Sequence, residues 1–445
     1  MISFFKNIRT LLKILLSDPL LTLRLLTYSR LKNFFRFLLK NTNRDQLLER
    51  YRNIYSGGSF SEYPVFVKNS TDRNILFFPA IDWNFRVQRP QHLSIRLARK
   101  GYRVFYLSTH PLVANRKKNI SLESLGHSNL FNVQLSNGFT RLHNLYTDTA
   151  SEEELKGWSQ SLDELTSILA PGELVSIVQH PFWFPLVEKK NWDKKIFDCL
   201  DLYESLTDNK SSTLGCFERK LFDWADVTTV TSKYLYDLHS EKSRCEIVGN
   251  GCDFNHFSDG VIQKTRNFQK QPIIGYVGAV SDWFDIDLLY NAARENKNYI
   301  FEIYGSTSER SKSLGKIPKN VIFHGEVPYA ELPKIVARFS VAIIPFKNDD
   351  LSKSIDPVKV YEYLASGKPI VSSYLPELKK FNDLDVCITE TKDEFAYSIK
   401  KMLSTSDNPE RIASRRKFAK IHDWDIVTDR FEALALKNVK EQKSA

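Results

Sequence analysis

A chain of 445 residues is too long for one hydrophobic core and calls for two domains with room for an appendage. Its composition, 42% hydrophobic and 26% charged, is that of a globular protein, and the net charge of +10 suits an acidic partner: nucleic acid, an anionic membrane or a phosphorylated substrate. The five cysteines, Cys199, Cys216, Cys245, Cys252 and Cys387, form no CxxC pair and no Cys/His cluster at zinc spacing, which speaks against a structural metal and for a reduced, cytoplasmic setting.

Residues 2–17 and 19–40 read as two amphipathic helices split at Asp18-Pro19. Phe4, Ile8, Leu11, Leu12 and Leu15 recur at helical spacing, while Lys6, Arg9, Lys13, Arg24, Arg30, Lys32, Arg36 and Lys40 make the segment strongly basic. Such a segment suits a helix lying on an anionic membrane surface, and equally a helical hairpin packed on the body of the protein or on a second subunit. Its long Leu/Phe faces lack the aromatic-basic interleaving used for nucleic acid. The charges also interrupt any cleavable signal pattern, and no uninterrupted membrane span is found. A polar stretch, Tyr55 to Tyr63, leads into the first domain.

The run Asn74 to Ala80 predicts a strand, and the following loop, helix, turn at Gly101 and second apolar run make a βαβ start. The loop carries Arg86, Arg89, Gln91 and His92; ligands of open α/β sheets bind outside the carboxyl ends of strands, so Arg86, nearest the strand end, is the stronger site candidate, while Arg89 can as readily tie the loop to carboxylates. Residues 111–165 show only weak periodicity. A strand over Leu174 to Gln179 presents His180 at its end, and the next strand presents Asp198 and Asp201, a pair that could bind a metal or anchor a loop or domain joint. At Asn250-Gly251 glycine permits an unusual turn.

The second domain opens with a strand ending at Gly278 and a helix from about Asp285; glycine at the strand end lets backbone approach a ligand and the helix directs free amides toward it. Two further strands precede the segment VAIIPFKNDDLSKSIDPVKVYEYLASGKPIV, residues 341–371. It reads as a strand buried on both faces, a loop, a helix starting at Pro357 with Asp356 as cap and ending at Gly367, and another strand. Lys359 and Glu362 fall on one side of the first helical turns. A lysine there adds charge for a diphosphate, and a carboxylate one turn further in can accept two ribose hydroxyls.

The string DPVKVYEYLASGKPIV resembles the donor-site segment of retaining GT-B-fold nucleotide-sugar glycosyltransferases, a family that includes bacterial polysaccharide and teichuronic-acid-type transferases. QRPQHL is similar to a cleft-facing loop of their first domain, Asn250-Gly251 and Asp253 to their domain-joining turn, and Trp424-Asp425 to a terminal helix that crosses back onto the first domain. The resemblance implies an α/β fold of two Rossmann-like domains facing a cleft: a basic helical extension at 1–60, an acceptor domain at 61–255, a nucleotide-sugar domain at 256–425, and a returning helix and tail at 426–445. It implies that Glu362 holds the nucleotide ribose, that Gly325 to Val327 lie beside the base, that His180 faces the transferred sugar, and that no metal or cofactor is required beyond the donor. Ser354 stands where the family places a first glutamate against the sugar hydroxyls. Asp282, Trp283 and Asp285 stand where many relatives carry an Arg/Lys pair, leaving the phosphate charge to Lys353, Lys359 or Arg86.

The expected activity is therefore retaining glycosyl transfer to a glycan or lipid-linked glycan in cell-surface polysaccharide synthesis. His180, Arg86 and Lys359 are the candidate catalytic residues, and Gly278, Gly325, Val327, Ser354, Lys359 and Glu362 the donor-binding ones. Residues 1–45 would hold the protein peripherally on the inner face of the membrane, with no role for nucleic acid. A sugar-nucleotide epimerase or a noncatalytic scaffold of the same fold are the alternatives.

Overall fold

The computed structural model describes residues 73–112, 119–139, 143–169, 171–206, 213–241, 244–259, 271–307 and 316–437. The basic helices expected at 2–17 and 19–40 lie outside these residues.

Two sheets organise the described chain. The first runs β3-β4-β2-β1-β5-β6-β7-β8, built from β1 (Arg73–Phe78), β2 (Arg103–Leu107), β3 (Ile120–His127), β4 (Leu130–Leu135), β5 (Glu173–Val178), β6 (Lys194–Cys199), β7 (Val227–Val230) and β8 (Cys245–Ile247). Only β3 and β4 pair antiparallel. The second sheet is parallel throughout, in the order β11-β10-β9-β12-β13-β14, from β9 (Ile273–Val277), β10 (Ile300–Tyr304), β11 (Val321–Gly325), β12 (Val341–Ile344), β13 (Ile370–Ser373) and β14 (Val386–Thr389). Helices cover both faces, which is why central strands such as Val341–Ile344 are continuous apolar runs with every residue buried.

In a doubly wound sheet the connections leave in opposite directions on either side of one strand pair, opening a crevice at the carboxyl ends. Here those pairs are β1/β5 and β9/β12. The Arg86 loop and His180 follow the first pair; Gly278 and the Ser354–Glu362 segment follow the second. All the expected site segments except Gly325 to Val327, which follow β11, thus leave the sheets at a switch point.

The segment 111–165, which has little periodicity, contains the β3/β4 hairpin and a helix, Glu152–Ile168. That helix starts with a capping box in which Ser151 Oγ accepts from the Glu154 amide and the Glu154 carboxylate accepts from the Ser151 amide. The helix Trp424–Phe431 crosses onto the first domain: Trp424, Val427 and Phe431 pack with Leu93, Leu97 and Val104, and the indole stacks on His92 at 4.9 Å. Lys100 pairs with Asp429 and Glu432 at 2.6 and 2.8 Å.

A buried ion pair lies beneath the joint between the domains. Arg89, 2% exposed, donates twice to Asp198, 0% exposed, at 2.9 and 2.8 Å, and also to the Gly249 carbonyl and Asn250 Oδ1. Gln179 and Thr229 donate to the same carboxylate, at 2.7 Å each. Asn250 in turn donates its amide and side chain to Asp356 of the second domain. Removing one partner of such a pair leaves a charge stranded in the interior, at a cost of about 3–5 kcal/mol. Asp198→Ala is therefore expected to lower unfolding free energy by roughly that amount; an unfolding free energy from urea titration within about 1 kcal/mol of wild type would show that the pair is not holding the joint.

Candidate functional site

The loops after β9 and β12 are zipped together at the second switch point. Asp285 donates its amide to the Pro345 carbonyl at 2.8 Å, Lys347 donates to the Trp283 carbonyl at 2.8 Å, and Phe284 bridges Phe346. At the head of the first loop Gly278 has φ +152°, a conformation side chains rarely adopt. A Cβ there would collide with Lys359 Cε and come within 2.6 Å of the Tyr276 hydroxyl, so the vacancy at Gly278 is the seat of the Lys359 stem. Gly305, with φ +147°, faces Gly278 so closely that a Cβ would strike the Gly278 carbonyl, and its amide donates to the Gly325 carbonyl at 2.7 Å. Three strand-end glycines in series thus bring β9, β10 and β11 to one bare backbone edge.

The helix carrying Lys359 and Glu362 runs Val358–Ala365, with Pro357 at the cap position. Asp356 does not cap it. Its carboxylate accepts from the Asn250 amide at 2.6 Å, from the Tyr361 hydroxyl at 3.0 Å and from Lys380 at 3.1 Å, and so serves the domain joint. The helix amides keep their opening without that side chain across it. Lys359, half-buried, makes no hydrogen bond among the described residues; burial lowers its pKa, Glu362 opposes this and Arg86 adds to it. The Glu362 side chain, on a residue 7% exposed, is likewise without a hydrogen-bond partner among the described residues, and burial pushes its carboxyl up to about 7 against the pull of Lys359. Near it, the buried Tyr329 hydroxyl is unpaired, and the Tyr329 ring stacks on His256 at 4.7 Å.

From the first domain Arg86 reaches across, donating to Glu326 at 2.9 Å and to Ser306 Oγ at 2.8 Å while its guanidinium lies over Phe85. It thereby sets its charge beside Lys359. Behind it in the same loop Asp82 accepts from Ser108 at 2.6 Å, sits 3.0 Å from His110 Nδ1 and caps the Asn84 amide. Burial raises the Asp82 carboxyl, yet these bonds outweigh it and hold it below the usual range.

The structure therefore gathers Gly278, Lys359, Glu362 and Arg86, with Gly325 reached through Gly305. Val327 packs half-buried against the second-domain core. Ser354 Oγ is committed to the seam, accepting from the Leu202 amide at 3.2 Å and donating to the Leu351 carbonyl at 2.7 Å. Lys353 pairs with Asp350. His180 is fully buried, its Nδ1 accepting from the Phe182 amide at 3.1 Å, and burial lowers it to about 3, so the ring is neutral with its proton on Nε2. Gly305, Ser306, Tyr329, the bond of Glu326 to Arg86 and the latch role of Asp356 are additions that the sequence did not reveal. Gly305 alone had a signal, since YGS ends its strand as YVG ends the one before it.

Comparison with known proteins places this geometry. Residues 271–405 match the family described as Glycosyl transferases group 1. A Bacillus subtilis (strain 168) protein named for a role as a teichuronic acid biosynthesis glycosyltransferase is 27% identical over 306 residues, 63% of this chain and 76% of that protein. The sucrose-phosphate synthase of Thermosynechococcus elongatus superposes with a TM-score of 0.62 at 14% identity, covering 84% of this chain and 98% of that one. The trehalose-6-phosphate protein of E. coli bound with UDP-2-fluoro glucose does so with a TM-score of 0.59 at 13% identity, covering 82% and 99%. The two-domain arrangement is the fold of these solved structures, and the family match falls on the second domain, where Gly278, Lys359 and Glu362 lie.

Burial of the Glu362 carboxyl makes folding sensitive to pH. Its folded-state pKa lies above the ordinary 4.5, so ionising it costs stability; the cost is absent below about pH 4.5 and complete above about pH 7. Glu362→Gln should therefore stabilise the ligand-free protein by roughly 1–3 kcal/mol at pH 8 and leave it unchanged at pH 4.5. Equal denaturation midpoints at both pH values would show that the carboxylate is solvated.

Proposed function

We propose that the chain moves a sugar from a nucleoside diphosphate sugar to a glycan or lipid-linked glycan, keeping the anomeric configuration, in cell-surface polysaccharide synthesis. One observation carries this reading: Lys359 occupies the space a Gly278 side chain would fill, so an unpaired ammonium, free helix amides and bare glycine backbone face one spot. That is a seat for a diphosphate. The unpaired carboxylate of Glu362, one turn further in, suits the two ribose hydroxyls.

In the proposed reaction the bond between the anomeric carbon and the diphosphate oxygen breaks, and its electron pair leaves on the phosphate. Lys359 and the helix amides stabilise that growing charge, and Arg86 adds positive potential from the opposite domain. The acceptor hydroxyl enters on the same face and its proton passes to the departing phosphate oxygen, so no protein nucleophile is needed. His180 is assigned to the transferred sugar and the Gly325–Val327 segment to the base. Ser354, bonded to Leu202, acts in holding the sugar-side loop to the first domain. Closure of the domains limits loss of the donor to water. Residues 1–45 are assigned to an anionic membrane surface at the cytoplasmic face, where a lipid-linked acceptor is found.

A thermal-shift panel of nucleotide-sugars tests the donor site: the matching donor should raise Tm in proportion to RT ln(1 + [L]/Kd), and Glu362→Ala should reduce that rise by a tenfold or greater loss of affinity, about 1.4 kcal/mol. An unaltered response in the variant removes the ribose assignment, and conversion of donor alone would indicate epimerase chemistry. Deleting residues 1–45 should move the protein from the membrane to the soluble fraction; unchanged partitioning at low and high salt would defeat the anchor.

A further inference from the structure

The ends of β5 and β6 leave a set of polar groups with nothing to bind. The protonated Nε2 of His180 is buried and, among the described residues, donates to no atom, and Oε1 of the preceding residue, Gln179, accepts from none. The rings of Tyr146 and Tyr203 stand edge-on to His180 at 5.1 and 4.6 Å. The Asp201 carboxylate lies close enough to act electrostatically on both tyrosine hydroxyls, yet it receives no hydrogen bond among the described residues. The two aspartates expected to act as anchors part ways: Asp198 is fully bonded to Arg89, Gln179 and Thr229, while the Asp201 carboxylate accepts no hydrogen bond among the described residues.

Position makes this more than a packing defect. The amide of Leu202, next in the chain to Asp201, donates to Ser354 Oγ of the second domain, so Asp201 stands at the seam where the loop before Lys359 meets the first domain. That loop has no carboxylate to spare: Asp349 caps the Ser352 amide, Asp350 pairs with Lys353, and Asp356 is held by Asn250, Tyr361 and Lys380. Asp201 is the seam's unspent acceptor and His180 its unspent donor. Leaving the buried imidazole donor unpaired is costly, and a ligand hydroxyl that accepts from it while donating to the half-buried carboxylate recovers the cost. A donor at the end of β5 and an acceptor at the end of β6, on either side of Tyr203, fit uncharged hydroxyls, which both give and take hydrogen bonds.

The geometry points to Asp201 as a specificity-determining residue for the transferred sugar, its carboxylate accepting from one ring hydroxyl while His180 Nε2 donates to a neighbouring one. This rests on the donor site proposed above and adds the residue that reads the sugar rather than the nucleotide. Burial pushes the Asp201 carboxyl up to about 6, as an acceptor kept short of partners would be.

The test uses the full chain, wild type and Asp201→Asn, with UDP and GDP alone and with UDP-glucose, UDP-galactose, UDP-N-acetylglucosamine and GDP-mannose as probes, read by thermal shift and titration. The expected result is an unchanged Kd for the nucleoside diphosphate and at least a tenfold weaker Kd for the best nucleotide-sugar in the variant. The Tm of the ligand-free variant at pH 8 should equal or exceed that of wild type, since a partnerless carboxylate has been replaced by a neutral amide. A merely structural role would instead lower that Tm and weaken diphosphate and nucleotide-sugar alike. Tyr146→Phe, which keeps the ring against His180, should leave diphosphate binding intact and guards against misfolding as an explanation. A sugar-specific gain that survives in Asp201→Asn, or no gain from any sugar in wild type although the diphosphate binds, overturns the assignment and leaves the donor site standing. Failure of wild type to bind any of the six probes overturns the donor site and this inference with it.

Discussion

A charged pair sealed away from water holds only if every lone pair and proton is met, and that requirement shapes the joint of this protein. Asp198 accepts from Arg89, Gln179 and Thr229, which gathers the ends of β5, β6 and β7 onto the start of the Arg89–Arg99 helix. Arg89 spends its remaining donors on Gly249 and Asn250, and Asn250 passes the chain of bonds to Asp356. Asp356 sits three residues before Lys359. The register of the phosphate-facing helix is thus fixed from the interior of the other domain, through side chains that touch no ligand.

The cleft beyond that joint obeys the opposite rule. Among the described residues the side chains of Lys359, Glu362 and Asp201, His180 Nε2 and the Tyr329 hydroxyl are buried or half-buried and unpaired, whereas Asp198 and Asp356 close by are bonded several times over. Groups left in this state oppose folding, and they concentrate where a ligand can complete them. Glycine at Gly278 and Gly305 serves the same end by removing bulk, so that backbone and a lysine stem share space that a methyl group would occupy.

Arg86 shows how one side chain can belong to both regimes. Its hydrogen bonds to Glu326 and Ser306 join the domains across the mouth of the cleft, and its charge lies near enough to Lys359 to depress the ammonium. A partly exposed pair of this kind is weak in water, so it can yield when the domains move, unlike the Arg89 pair behind it.

By itself the sequence determined the local matters. Apolar runs ending in glycine marked strands such as Ile273–Val277, the spacing of Tyr361, Leu364 and Ala365 marked the helix of Lys359 and Glu362, and Trp424 marked the element that returns to the first domain. The β3/β4 hairpin escaped notice because its outer residues face solvent on a sheet edge, where alternation is blurred. Only the tertiary structure decided which polar groups meet. Asp356 left the helix cap for Asn250 and Lys380, Ser354 went to Leu202, and of two aspartates three residues apart one became the anchor and the other was left open. Periodicity is a property of neighbours along the chain, but a hydrogen bond in a dry interior goes to whatever donor or acceptor the fold brings within 3 Å, and that partner can lie more than a hundred residues away.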